Sequence, residues 1–371
     1  MSGLRLGSRE LQRAPGRFLL LAGVLGLLLA LLVAFRGIAD EHVKELQGAV
    51  ARSSADVLVT DAAAEWAVQA SRVDAEDLAR VAAHAGVAEA APIGALRVGA
   101  RLPDGEAVNL SLWGAEQGAT GEVEVVDGRP PQEPGEAAVD RADAFRGAAL
   151  GATVRVDDTG DDLEIVGMTE DRRFAAIPTA YVAYEQWETI VEDAVAETDD
   201  VEATAIAVRA AEGRDPEALA AALSDGDLAA ATPAAAGALL PGVAGVQTSF
   251  RLLSVVVVLA LAVLSGVATS LIVAARRPEI ATLRALGAPL RTVATTVAVQ
   301  MTGVVAGASG FAAALVAAAT VLAPPHVPLV PSAGLWATSA ATTLAAAVAT
   351  AAVVAWRGGR VPPVESLGAG E

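Results

Sequence analysis

The chain has 371 residues, of which 54% are hydrophobic, with a mean hydropathy of +0.48 and a formal net charge of −18. Such apolarity and such charge coexist only if they are segregated: residues 37–249 hold 40 Asp/Glu against 14 Lys/Arg, and the rest holds 4 acids against 12 Arg. An acidic water-facing region joined to Arg-flanked apolar segments excludes a single globular enzyme, a disordered chain and a nucleic-acid binder. There is no Cys, so disulfides, thiolate metal sites and cysteine nucleophiles are out. His42, His84 and His326 are too far apart in sequence for a local zinc motif.

In chain order, Arg5, Arg9, Arg13 and Arg17 recur every fourth residue. Residues 1–17 are expected to carry an amphipathic helix on the cytoplasmic membrane surface, broken at Pro15-Gly16. Residues 18–36 follow as a first membrane span. Phe18 to Phe35 is uncharged and would rise about 27 Å as a helix, enough to cross a bilayer. Phe35-Arg36 stands where a signal peptide would have small residues, so the span reads as an uncleaved anchor.

Residues 37–249 are long enough to bury a core of their own. Asp74 as N-cap and Gly86 as stop frame a helix over Asp74–His84. Gly94–Arg101 and Glu106–Trp113 flank Leu-Pro-Asp-Gly, a hairpin; Thr153–Val156 and Leu163–Met168 flank a second turn, Asp157-Asp-Thr-Gly-Asp-Asp162. Tyr184–Ala196 and Pro216–Leu223 read as helices, Val201–Val208 as a strand, and Ala229–Gly245 as a loose connector. Hairpins mixed with helices indicate an α+β domain. The four Asp of the second turn are a conceivable hard-cation site, but they lack the ligand order of a calcium loop.

Three more spans are expected at residues 250–275, 293–323 and 335–356. Gly303 and Gly307 in the third span suit close helix packing. Between them lie a loop, 276–292, an outer loop, 324–334, and a tail, 357–371. Arginines gather in the N-terminal segment, in loop 276–292 (Arg276, Arg277, Arg284, Arg291) and in the tail (Arg357, Arg360). The positive-inside rule puts all three in the cytoplasm and the acidic domain outside. The fold expected is thus an α-helical membrane protein of four spans, with an α+β extracytoplasmic domain inserted between the first two.

Loop 276–292 contains Arg276-Arg-Pro-Glu279-Ile-Ala-Thr-Leu283-Arg284-Ala-Leu-Gly287-Ala288-Pro. Its Ile280, Leu283, Leu286 and Leu290 fall on one helical face. This segment resembles the signature loop of FtsX/MacB-type (type VII) ABC transporter permeases. Asp127-Gly-Arg-Pro, Pro134-Gly-Glu-Ala-Ala-Val-Asp140, Leu150-Gly-Ala-Thr-Val and Leu163-Glu-Ile-Val-Gly167 are similar to the family's periplasmic core domain. Pro363-Val-Glu-Ser-Leu367 and the stretch from Arg9 to Phe18 are similar to its two ends.

The resemblance implies a non-catalytic permease subunit of an exporter, acting as a homodimer among membrane lipids with a separate cytoplasmic P-loop ATPase. ATP and Mg would be bound by that partner and no cofactor by this chain, which has no Gly-x-x-x-x-Gly-Lys-Ser/Thr segment. Arg276, Arg277, Glu279, Ile280, Leu283, Arg284, Gly287 and Ala288 would couple to the ATPase. The substrate expected is membrane-embedded or amphiphilic, a lipid, haem or hydrophobic compound. Arg36 and Arg251 would meet its anionic head, and His42 is the candidate near the first span for a haem ligand. Two other functions stay open: an FtsX-like regulator of an extracytoplasmic partner such as a cell-wall hydrolase, and a peptide sensor or resistance permease.

Overall fold

The computed structural model describes residues 15–194, 203–274, 282, 290–322 and 331–358. They form two compact units, one from the described residues of 1–39 and 248–371, the other from Asp40–Gln247.

In the first unit the apolar runs are long helices: α1 (Pro15–Ala51), which continues past residue 39 into the second unit, α6 (Val243–Ala274), which begins in that unit, α7 (Leu290–Leu322) and α8 (Ala333–Gly358). Among the described residues three helical stretches are long and apolar enough to cross a membrane, Phe18–Ala51, Val243–Leu271 and Ala298–Leu322. The fourth expected span lies in α8, whose 26 residues rise about 39 Å. Small residues let the helices approach. A methyl at Gly26 would come within 2.7 Å of the Ala308 carbonyl oxygen, and one at Gly307 within 3.3 Å of the Ala22 methyl. Leu25, Leu32, Leu261 and Met301 fill the space between the helices. Hydroxyls in this apolar setting bond back to their own helix: Thr269 donates to the Ser265 carbonyl (2.7 Å) and Thr343 to that of Ser339 (2.9 Å).

The second unit is built on strands β1 (Val57–Asp61), β2 (Val87–Arg101), β3 (Ala107–Ala115), β4 (Asp127–Gly128), β5 (Glu136–Asp140), β6 (Thr153–Val156), β7 (Asp162–Thr169), β8 (Thr179–Ala183), β9 (Ala205–Ala210) and β10 (Leu228–Ala231). Its helices are α2 (Ala75–Ala82), α3 (Tyr184–Ala194), α4 (Pro216–Leu223) and α5 (Pro233–Leu239). Both expected hairpins form: β2 and β3 pair antiparallel, closing at Arg101 and Ala107, and β6 pairs antiparallel with β7. The Asp74 carboxylate caps α2 by accepting from the Asp77 amide, and Asp215 caps α4 ahead of Pro216.

Two architectures share the sheet. The order β10-β1-β9-β2 is antiparallel throughout, with α2 between β1 and β2 and α4 between β9 and β10. This is the split β-α-β arrangement of a ferredoxin-like layer. Alternate residues face opposite ways: Val57, Val59, Ile206 and Val208 lie under α2 and α4, while Leu58, Ala205 and Ala207 lie in a second core with the end of α1, α5 and Leu240. Cover on both faces is why these strands are almost wholly apolar.

The second architecture is inserted between β2 and β9. Pairing runs β2-β3-β8-β5-β7-β6 and returns to β2, which closes a six-stranded barrel. Leu110, Leu112, Val154, Leu163 and Ile165 fill it. Trp187 of α3 seals one side, its indole lying over Gly94 and Gly114. The expected connector Ala229–Gly245 is instead mostly regular. Leu228–Ala231 pairs with β1, and Pro233 starts α5, where Pro is favourable as a first helical residue.

A methyl added at Gly94 would sit about 2.1 Å from the Trp187 ring. Gly94→Ala is therefore expected to destabilise the second unit by about 2 kcal/mol through overpacking, read as a lower thermal midpoint in tryptophan fluorescence of the detergent-solubilised chain.

Candidate functional site

The residues expected to couple to an ATPase, Arg276, Arg277, Glu279, Ile280, Leu283, Arg284, Gly287 and Ala288, lie outside the described residues, as does the expected helix ahead of Pro15. The other three candidates have different surroundings. Arg36 of α1 donates from Nη1 to Oγ of Ser339 at 3.3 Å, and Ser339 is buried in α8. Arg36 is thus tied to a partner helix, a bond with no signal in the sequence. Arg251 is exposed in α6. His42 is half-exposed on α1, with Nδ1 3.9 Å from the Glu45 carboxylate.

Glu45 leads to the most elaborate polar arrangement of the second unit. The last turns of α1 are gripped by the loop that joins β7 to β8. The Ala49 amide donates to the Arg173 carbonyl at 3.0 Å. In the reverse direction the amides of Ala175 and Ala176 donate to the carbonyls of Leu46 (3.0 Å) and Glu45 (2.9 Å). Helix carbonyls can accept these extra bonds because each has two lone pairs. The loop runs so close that a methyl on Gly48 would lie 2.3 Å from the Asp171 carbonyl oxygen and 2.9 Å from that of Arg173. To bend this tightly it places Asp171, Ala175 and Ala176 in the left-handed region, at φ 55°, 54° and 56°. For the two alanines that costs on the order of 1 kcal/mol each.

Charge reinforces the grip. Arg173, nearly buried, ion-pairs with Glu45 of α1 (2.8 Å) and with Asp143 (3.3 Å), and its Nε donates to the Ile177 carbonyl. Asp143 lies in the short helical turn after β5. Arg172 pairs with Glu124 at 2.9 Å and also bonds the Arg52 carbonyl, while the Tyr181 hydroxyl donates to the Arg172 carbonyl. The Asp140 carboxylate accepts from the Arg172 amide at 2.7 Å. Arg52 and Asp171 add a half-exposed pair at 2.7 Å, which contributes at most about 1 kcal/mol. Burial pushes the Asp143 carboxyl up to about 6, with Arg173 acting against it and Asp140 with it. Sequence reading missed this cluster. Its one visible trace is the run Glu170-Asp-Arg-Arg173, charged on both signs between two apolar strands.

The segments that carried the family resemblance have structural duties. Asp127-Gly128 pairs with Gly167-Met168, and a methyl at Gly167 would lie 2.3 Å from the Arg129 carbonyl oxygen. Glu136 holds the Arg129 guanidinium with both carboxylate oxygens and accepts from the Gln132 and Glu133 amides. That Arg129 bond, with help from the amides, lowers its pKa to about 2. The acidic turn is used locally: Asp158 accepts from the Gly99 amide (2.8 Å), Asp157 faces Arg101 and Asp162 faces Arg155. Among the described residues no group of three or more His, Asp or Glu could hold a metal ion.

Asp143 has an ordinary pKa of 3.8 when unfolded and about 6 when folded, so between these values the folded chain binds the extra proton. Its contribution is most favourable below about pH 4 and worsens as pH rises through 6, by about 3 kcal/mol at most. The stability of Asp143→Asn relative to the parent should therefore rise between pH 5 and pH 7.5, measured as the difference in thermal midpoints.

Comparison with known proteins agrees with this architecture. Residues 20–225, more than half of the chain, match the MacB-like periplasmic core domain family, and residues 251–363 match the FtsX-like permease C-terminal family. Uncharacterized ABC transporter permeases from two strains of Mycobacterium tuberculosis are each 31% identical over 180 residues, 48% of this chain and 50% of the relative. The chain thus spans about half the length of these curated relatives. Among solved structures, the periplasmic region of MacB from Actinobacillus actinomycetemcomitans is 11% identical with a TM-score of 0.35, covering 49% of this chain and 90% of that one. The extracellular domain of the noncanonic ABC-type transporter YknZ from Gram-positive bacteria is 16% identical with a TM-score of 0.32, covering 43% and 90%. With apolar membrane helices in one unit and the core domain in the other, the chain belongs to the FtsX/MacB-type family of ABC transporter permeases.

Proposed function

We propose that this chain is the non-catalytic permease subunit of an ATP-driven exporter in the plasma membrane. Its termini are cytoplasmic and its α+β unit extracytoplasmic, as the distribution of arginine favours. A separate cytoplasmic P-loop ATPase binds ATP and Mg and supplies the work. The observation that carries the reading is the presence in one chain of both family regions, the core domain at 20–225 and the permease end at 251–363.

In this reading residues 276–291 rest on the ATPase as a short coupling helix. Ile280 and Leu283 anchor it, Glu279 and Arg284 make polar contacts, Arg276 and Arg277 hold it at the headgroups, and Gly287-Ala288 turns the chain into α7. Two copies of the chain would pair, since closure of two ATPase subunits needs two such helices. The substrate is amphiphilic or membrane-embedded. Arg36 and Arg251 attract its anionic head, with His42 close to Arg36 in sequence.

Affinity purification of the tagged chain from its native membrane, followed by mass spectrometry and an ATPase assay, tests the reading. A stoichiometric P-loop ATPase should co-purify, and Glu279→Ala/Arg284→Ala should lose most of it. Enrichment of a cell-wall hydrolase that activates on addition of ATP would favour the regulator instead; no ATPase at all would contradict both.

A further inference from the structure

We infer that the end of α1 and the loop after β7 form a fixed joint, in which Gly48, Glu45, Arg173 and Asp143 are positioning residues for the ATP-driven movement. The inference rests on the permease reading. If α1 is displaced during the cycle, the joint hands that displacement to β7 and β8, the two barrel strands that the loop connects.

Three features distinguish a joint from ordinary packing. First, the contact is made by backbone: one amide of α1 and two of the loop are exchanged between helix and loop. Apolar side chains slide over one another at little cost, but these three bonds fix the register of helix against loop residue by residue. Second, the surfaces interlock. The space above Gly48 is taken by the carbonyls of Asp171 and Arg173, so the loop cannot slip along the helix without meeting the side chains one turn away on the same face, Lys44 and Arg52. Third, Arg173 binds three separate pieces at once: Glu45 on the helix, Asp143 after β5 and the Ile177 carbonyl in its own loop. Breaking any one would leave a nearly buried charge short of a partner, which penalises partial opening. The left-handed Ala175 and Ala176 show that the loop accepts backbone strain to keep this geometry. A barrel that needed only to be capped could use any apolar loop here.

The test uses the full chain with its ATPase in lipid nanodiscs. Hydrogen exchange read by mass spectrometry compares the nucleotide-free complex with the vanadate-trapped one. In the parent, residues 45–52 and 171–177 should be equally protected in both states, while β7 and β8 change. Because the chain has no Cys, Arg52→Cys/Asp171→Cys can be cross-linked specifically with a short bis-thiosulfonate. These two half-exposed side chains already touch across the joint, and the cross-linked protein should keep both ATPase activity and the change in β7–β8. Gly48→Ala and Arg173→Ala should keep ATPase activity and lose that change, with Arg173→Lys restoring part of it.

A cross-link that abolishes the change would overturn the proposal, since the joint would then have to open. So would a folded Gly48→Ala variant that keeps the change in full. Should Gly48→Ala and Arg173→Ala fail to fold, the parent and the cross-linked protein decide alone. If ATP is hydrolysed but the parent shows no change in any peptide, the permease reading itself falls, and the joint with it.

Discussion

The second unit depends on a space too small for a methyl group. At Gly48 the helix α1 lets two carbonyls of a neighbouring loop come within contact distance of its own backbone. Everything nearby follows from that approach. It brings the amides of Ala175 and Ala176 onto helix carbonyls, places Arg173 between Glu45 and Asp143, and turns the chain between two barrel strands. Glycine is required there for steric room, not for backbone freedom, because position 48 is ordinary helix. The freedom is demanded of the alanines opposite, which adopt left-handed conformations without glycine's tolerance.

A second constraint is solvent. The acids are concentrated in residues 37–249, as suits a water-facing domain, whereas membrane helices have no water to satisfy their polar groups. Hence hydroxyls such as those of Thr269 and Thr343 return to their own backbone, Arg36 finds Ser339, and close approach is achieved with Gly26 and Gly307. The exposed face of α6, with Leu252, Val256, Leu259 and Val263, would be a liability in water and is ordinary in a bilayer.

What could be read from the sequence was what is locally encoded. Asp74 announces a helix start by side chain alone, and Pro103-Asp-Gly105 announces a hairpin. The apolar runs give the membrane helices by length. Barrel closure was not legible. It depends on parallel pairing of β3 with β8 and β5 with β7, and on β6 reaching β2, and such long-range registers leave no periodicity of their own. Ala229–Gly245, expected as a loose connector, instead holds most of β10 and all of α5, because alanine suits strand, helix and linker alike. The grip on α1 escaped for a similar reason: nothing in Phe174-Ala-Ala-Ile177 marks two left-handed residues. Two motifs that extended the family resemblance into the second unit, Asp127-Gly-Arg and Glu136, turned out to hold strands together, so they speak for ancestry and fold. The segment most specific to energy coupling, 276–291, rests on resemblance.

The central claim is that α1 and the loop at 171–177 behave as one piece while the barrel responds to the ATPase. Electron cryo-microscopy of the full complex, without nucleotide and trapped with nucleotide, measures this directly. The account predicts that the bond from the Ala49 amide to the Arg173 carbonyl, 3.0 Å here, keeps its length in both states while β7 and β8 move with α1. A bond broken in one state, with the loop left behind as the helix shifts, would contradict it.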